Sequence, residues 1–129
     1  MGANDIPRPT DAELEILNVM WSLGACTVRQ VHETMSQNRD LGYTTILKQM
    51  QVMFDKGLVT RDDSQRSHVY RARQKEQTTQ RMLLTDLMSR AFGGSTEKLV
   101  MQALSAKKAS KEELAEIRRL LNELDGGAT

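Results

Sequence analysis

The side chains with the clearest chemical use lie at the front of one amphipathic segment, Gly42 to Val59 (GYTTILKQMQVMFDKGLV). Ile46, Leu47, Met50, Met53 and Phe54 recur at steps of three and four, which makes one face of a helix apolar. The other positions carry Tyr43, Thr44, Thr45, Lys48, Gln49 and Gln51, with no acid before Asp55. Hydroxyls, amides and one ammonium can hydrogen-bond a polar anion at small desolvation cost, whereas a carboxylate there would be repelled. Such groups match the edges of duplex DNA. Gln pairs with adenine, a Thr methyl touches a thymine methyl, and Lys reaches guanine or a phosphate. Free amides at the helix start would add phosphate contacts. Tyr43, Thr44, Thr45, Lys48 and Gln49 are therefore the first candidates for DNA contact.

A basic run follows. Between Arg66 and Arg81 stand Arg66, Arg71, Arg73, Lys75 and Arg81 against a single acid, Glu76, a net of +4 over sixteen residues. Alone, such a run is an ordinary solvated face. Beside a helix front of neutral donors it reads as an electropositive flank, and Arg66 and Arg71 join the candidates. Asp62 and Asp63 weaken that field, so affinity per copy of the chain should be moderate. Residues 1–73 hold nine basic and nine acidic residues, so the whole N-terminal part is not a basic module.

Other chemistry has little support. Cys26, His32 and His68 are the only thiol and imidazole groups, and nothing gives them the spacing of a metal site. No glycine-rich phosphate loop follows a strand, and no Ser, Cys or carboxylate stands in a catalytic motif. The reading is of a non-enzyme without cofactor or metal. His68 shares a strand face with Tyr70 and reads as a packed residue.

With 129 residues, 39% hydrophobic and 27% charged, the chain is expected to fold as one domain or one domain with an appendage. Eight methionines and few aromatics predict an aliphatic, adaptable core. No apolar run is long enough to span a bilayer. A single cysteine excludes an internal disulfide, and the expected location is the cytoplasm.

The elements that must position the candidates can be traced along the chain. Thr10-Asp11-Ala12-Glu13 has capping-box spacing and opens a helix to Leu23, with Leu14, Leu17, Met20 and Trp21 as its inward stripe and Gly24 as its stop. Thr27-Val28-Arg29-Gln30 opens a second helix to about Met35. The third runs from near Thr44 to just before Gly57. Alternation then replaces the helical period: Leu58–Arg61 and His68–Arg71 predict two strands about a polar turn. Three helices and a hairpin form a winged helix-turn-helix, in which the second helix of the turn-linked pair enters the major groove.

The remaining third predicts helices from Gln77 to about Ala91, after Gly93-Gly94 with Ser95 as cap, and from a third capping box at Ser110 to a Gly126-Gly127 stop. The expected organisation is a tail (1–9), a winged-helix domain (10–73), a helical dimerisation domain (74–125) and a short tail (126–129). Short amphipathic helices after a wing have little to bury themselves against, and isolated helices of this length are marginal. A second copy is the economical partner, met through Leu87, Phe92, Leu99, Leu114, Ile117, Leu121 and Leu124. The predicted fold class is mainly α.

The segments TDAELEILNVMWSLG, TVRQVHETM, YTTILKQMQVMFDKGLV, HVYRAR, FGGSTEKLVMQALS and SKEELAEIRRLL, in this order and spacing, resemble the penicillinase-repressor (BlaI/MecI/CopY-type) family of bacterial transcriptional regulators from about Thr10 to Leu124. The resemblance implies homodimeric repressors on palindromic, inverted-repeat operators, with recognition contacts at Tyr43, Thr44, Thr45 and Lys48. Penicillinase repressors have Ser-Pro-Lys-Thr where this chain has Gly42-Tyr43-Thr44-Thr45. In the family, a membrane sensor metallopeptidase or a protease downstream of it triggers cleavage in the dimerisation region, at an Asn-Phe bond. Gln102-Ala103 stands at that bond here, with both residues changed. Copper-responsive members carry paired C-terminal cysteines; this tail has none. Two other readings share the fold: a winged helix serving as a protein-interaction adaptor, and a repressor induced by a small ligand.

Overall fold

The computed structural model describes residues 6–126. Residues up to Leu83 form one compact unit and those from Leu84 onward a second. Three helices come first: α1 (Asp11–Leu23), α2 (Val28–Met35) and α3 (Tyr43–Lys56). Strands β1 (Val59–Asp62) and β2 (Val69–Ala72) follow, then α4 (Glu76–Ala91), α5 (Thr96–Ala106) and α6 (Lys111–Gly126). This is a mainly helical chain with the winged-helix element order.

The predicted caps form. Thr10 Oγ1 accepts from the Glu13 amide at 3.2 Å while Glu13 Oε1 accepts from the Thr10 amide at 2.9 Å. Thr27 and Gln30 repeat the exchange at 3.2 and 2.9 Å, and Ser110 and Glu113 at 3.0 and 2.9 Å. Each box satisfies two amides that a helix start leaves open. The third box holds the Glu113 carboxyl below its ordinary pKa, chiefly through the Ser110 amide.

The core joins Ile16, Leu17 and Met20 of α1, Val28 and Val31 of α2, Ile46, Met50 and Met53 of α3, and Leu58, Val59 and Tyr70 of the hairpin. On α1 the buried stripe is Glu13, Ile16, Leu17 and Met20. The expected Leu14 and Trp21 lie at its edge, half-buried. The stripe is displaced because a carboxylate holds one inward position. Glu13 is buried between the Thr10 cap and Lys56 of α3, whose Nζ lies 2.8 and 2.9 Å from its two oxygens. Burial pushes the Glu13 carboxyl up, but Lys56 and Thr10 outweigh it and hold its pKa below the ordinary value.

Gly57 ends α3 with φ 85° and ψ 15°, the left-handed region, which turns the chain directly into β1. The hairpin is antiparallel, pairing Val59 with Ala72, Thr60 with Arg71, Arg61 with Tyr70 and Asp62 with Val69. Both strands begin one residue later than the alternation predicts. Leu58 and His68 fall outside the pairing, and His68 is exposed rather than packed. A pairing that periodicity did not announce lies on the other edge of β2: Cys26 and Tyr70 exchange backbone hydrogen bonds of 3.0 and 2.7 Å. That bridge fastens the hairpin to the residue before the α2 cap.

The second unit includes the end of α4, with α5 and α6. Gly93 and Gly94, both at positive φ, end the helix before them, and Ser95 caps α5 by accepting from the Lys98 amide at 3.1 Å. Neither α5 nor α6 contains a buried residue. The expected tail at 1–9 falls partly on residues 1–5, outside the described residues; within the rest, Ile6 and Pro7 are half-buried and Pro9 is buried. The Gly127 stop also lies outside them. No helix among the described residues is long and apolar enough to cross a membrane.

Candidate nucleic-acid interface

The buried stripe of α3 leaves an opposite face whose members follow from helical spacing. Thr44, Lys48, Gln51 and Asp55 stand four, three and four apart, and all are exposed. The helix starts at Tyr43, one residue earlier than expected, with Gly42 as an N-cap that supplies no side-chain bond. Thr44 is thus inside the first turn rather than a cap. Among the described residues, the hydroxyls of Thr44 and Thr45 have no hydrogen-bond partner and Lys48 has no ion-pair partner. Gln49 is half-buried, on the flank shared with Met53 and turned away from the hairpin side.

The hairpin side of α3 is Tyr43, Leu47, Gln51 and Phe54, again at steps of four, four and three. Tyr43 is set by His32 of α2. The rings meet edge-on at 5.7 Å, and His32 Nε2 donates to the Leu41 carbonyl at 2.6 Å, which fixes the loop entering α3. Arg61 of β1 lies 4.2 Å over the Phe54 ring, with Nε 2.7 Å from Asp63 Oδ1. Its charge is stabilised by the Tyr70 side chain and by Asp63, which raises its pKa. Arg61 therefore joins hairpin to α3 instead of offering a free charge. Asp63 also lies 3.4 Å from His68 Nδ1, and Asp62 Oδ1 accepts from the Ser64 amide at 2.9 Å to shape the turn.

Between α3 and the hairpin lies a cleft of about 490 Å³. Tyr43, Leu47 and Gln51 of α3, Arg66, Ser67 and His68 of the hairpin turn and Arg29 of α2 are among its lining. No carboxylate among the described residues lines it. Arg71 is elsewhere. It pairs with Thr60 on the outer face of the hairpin, opposite the buried Tyr70, and borders a hollow of about 260 Å³ together with Trp21, Arg73 and Lys75. The two hairpin arginines expected to meet DNA are thus on different sides of the wing.

Two residues of this cleft did not stand out in the sequence as candidates. Arg29 is in the first turn of α2, and its place in the cleft lining comes from tertiary packing of α2 against α3. Gln51 was visible as a polar member of α3, and its spacing from Tyr43 and Leu47 was the available signal.

In the second unit, Leu87, Leu121 and Leu124 are 50%, 56% and 69% exposed. Phe92, Leu99, Leu114 and Ile117 are half-buried. The Gln102-Ala103 bond lies within α5, with both side chains exposed. Among the described residues, no three or more His, Cys, Asp or Glu side chains converge as a metal site. Cys26 is buried, and burial pushes its thiol pKa up.

A family profile described as penicillinase repressor matches residues 9–123. The chain is 29% identical to a transcriptional regulator BlaI of Mycobacterium tuberculosis over 123 residues, 95% of this chain and 88% of that protein. It is 25% identical to a penicillinase repressor of Bacillus licheniformis, covering 92% of each chain. Over 113 residues it is 20% identical to the methicillin resistance regulatory protein MecI of Staphylococcus aureus, covering 88% of this chain and 92% of that one.

Proposed function

The chain belongs to the penicillinase repressor family, whose members regulate transcription and are not enzymes, and from that premise we propose that it is a homodimeric repressor that binds a palindromic operator in double-stranded DNA. The observation that carries the reading is the outer face of α3. Thr44, Thr45 and Lys48 are exposed, free of partners among the described residues, and without an acid until Asp55, about two turns further on.

Each copy lays the front of α3 into the major groove. Thr44, Thr45 and Lys48 meet base edges and Tyr43 lies at the groove wall. Gln49, half-buried, contributes by supporting Thr45 rather than by reaching furthest. Arg66 follows the phosphates from the hairpin turn, and Arg71 reaches a flanking strand from its outer face. The exposed leucines of α4 and α6 meet their counterparts in the second copy, since a soluble chain rarely leaves such side chains uncovered. Two-fold symmetry then sets the operator's inverted repeat. Occupying a promoter excludes polymerase. Release through the Gln102-Ala103 bond requires α5 to open first, because a helical backbone does not fit an extended protease cleft.

Gel retardation of fragments from the chain's own upstream region tests this. The expected result is one retarded species whose affinity falls steeply with salt, as counterion release demands. A protein-interaction adaptor would retard none of them at low ionic strength.

A further inference from the structure

We propose that the hollow lined by Trp21 and residues 71–75 binds a small aromatic carboxylate, and that its occupant draws Arg71 away from DNA. The binding site stands on its own geometry; only its effect on DNA rests on the reading above.

The lining has two chemical parts. Met20 is buried and Trp21 and Ala72 are half-buried, whereas Arg71, Arg73 and Lys75 are exposed. Trp21 Nε1 already donates to the Gln74 carbonyl at 3.0 Å, so the indole offers a ligand only its carbon surface. The inner part is therefore apolar and the outer part cationic. No carboxylate among the described residues lines the hollow, and none forms an ion pair with Arg73 or Lys75. Asp62, held below its ordinary pKa chiefly by Ser64, also feels the Arg71 charge, so that one cation is partly balanced. Glu76 follows Lys75 in the chain but is not part of the lining, and its carboxylate accepts from the Gln80 amide at 3.4 Å.

Such a lining selects a hydrocarbon body with an anionic head. An aromatic ring packs on the indole, and a guanidinium fork takes both oxygens of a carboxylate. Pockets for drug-sized ligands begin at roughly 300 Å³. A hollow of about 260 Å³ suits a smaller occupant, a single ring with one acid group. The cations are also held in place before a ligand arrives. Arg71 pairs with Thr60 in the hairpin, the Arg73 amide donates to the Leu58 carbonyl at 3.0 Å, and Trp21 holds the Gln74 carbonyl. Preorganisation of this kind lowers the ordering cost of binding. Arg73 and Lys75, members of the basic run that DNA contact does not use, thereby acquire a role.

Trp21 is the only tryptophan, so its fluorescence reports the hollow directly. The full chain is titrated with benzoate, with benzyl alcohol and with inorganic phosphate, each to about 10 mM, and calorimetry repeats each titration. Benzoate should give a saturable change. Benzyl alcohol lacks the charge and phosphate lacks the ring, and each should bind about tenfold more weakly or worse. Arg73→Gln should weaken benzoate binding by about tenfold or more. Arg39→Gln, outside the hollow, should leave it unchanged. An unaltered thermal midpoint of Arg73→Gln shows that the fold is intact. In anisotropy with a labelled upstream duplex, saturating benzoate should weaken wild-type binding about three- to tenfold relative to equal sodium chloride, two exposed ion pairs being lost per dimer. Arg71→Gln should show no such loss.

No saturable response to benzoate by either method, or equal benzoate affinity in Arg73→Gln, overturns the site. Phosphate binding as tightly as benzoate overturns it too, because the hollow would then be a bare anion patch. Benzoate binding without any loss of duplex affinity overturns the competition for Arg71. A wild-type chain that binds no duplex removes the DNA reading, and the benzoate titration still decides the site.

Discussion

Replacing Lys56 with Met tests how α3 is braced against α1. Lys56 Nζ lies 2.8 and 2.9 Å from the two oxygens of Glu13, whose side chain is only 3% exposed. Methionine keeps an unbranched stem of similar length and removes the charge. Deleting one partner of a fully buried ion pair costs about 3–5 kcal/mol. Two features reduce that here. The Lys56 side chain is 37% exposed, so water screens the pair, and the Thr10 amide still donates to Glu13 at 2.9 Å. The expected destabilisation is about 2 kcal/mol. At about 4–8 °C per kcal/mol for a small domain, the midpoint should fall by about 8–16 °C.

The pH dependence has a definite sign. Glu13 is held below its ordinary pKa in the folded chain: burial pushes it up, and Lys56 and Thr10 outweigh burial. Its contribution is therefore complete above the unfolded carboxylate pKa and disappears as pH falls through the lower folded value. In Lys56→Met, burial acts without the ammonium and the carboxyl titrates at higher pH. The difference between the two proteins should thus be largest near neutrality and shrink in acid. Trp21 is the only tryptophan and belongs to the same compact unit as the pair, so its fluorescence reports the relevant transition. Midpoints that coincide near neutral pH, or a gap that persists unchanged in acid, would refute the brace.

Leu121→Asp should convert a dimer to a monomer in analytical ultracentrifugation and weaken operator binding, while the Trp21 midpoint changes little. Burying a leucine contributes about 1.5–3 kcal/mol, and two copies are altered per dimer. Gly57→Ala should destabilise the first unit by about 1–2 kcal/mol in urea titration. The space exists, with Pro7 Cγ 4.0 Å from the added carbon, but φ is +85°. Cys26 should react slowly with a thiol reagent in the native chain and at once in denaturant, since it is buried with a raised pKa.

Much of the architecture was legible because it depends on local spacing. Capping boxes act over three residues, and Thr10, Thr27 and Ser110 each announce a helix start that forms as read. The apolar steps of α3 mark Ile46, Met50 and Met53 as inward and leave Thr44 and Lys48 outward. Gly57 and the change to alternation mark the passage into the hairpin. Strand starts were off by one residue because pairing is decided by backbone partners, and the Cys26 bridge to Tyr70 involves residues far apart in the chain.

Amino-acid order alone determined which face of α3 is apolar, where each capped helix begins, and that no acid precedes Asp55 on α3, since all three follow from residue type at fixed local distance. Only tertiary structure decided that Glu13 points inward to Lys56, that Arg61 is taken by Asp63 and Phe54, and that Arg29 shares a cleft with Arg66 while Arg71 does not. A charged side chain gives no periodic signal of its partner. Whether it is free to meet another molecule depends on which distant residues the packing brings within a few ångströms.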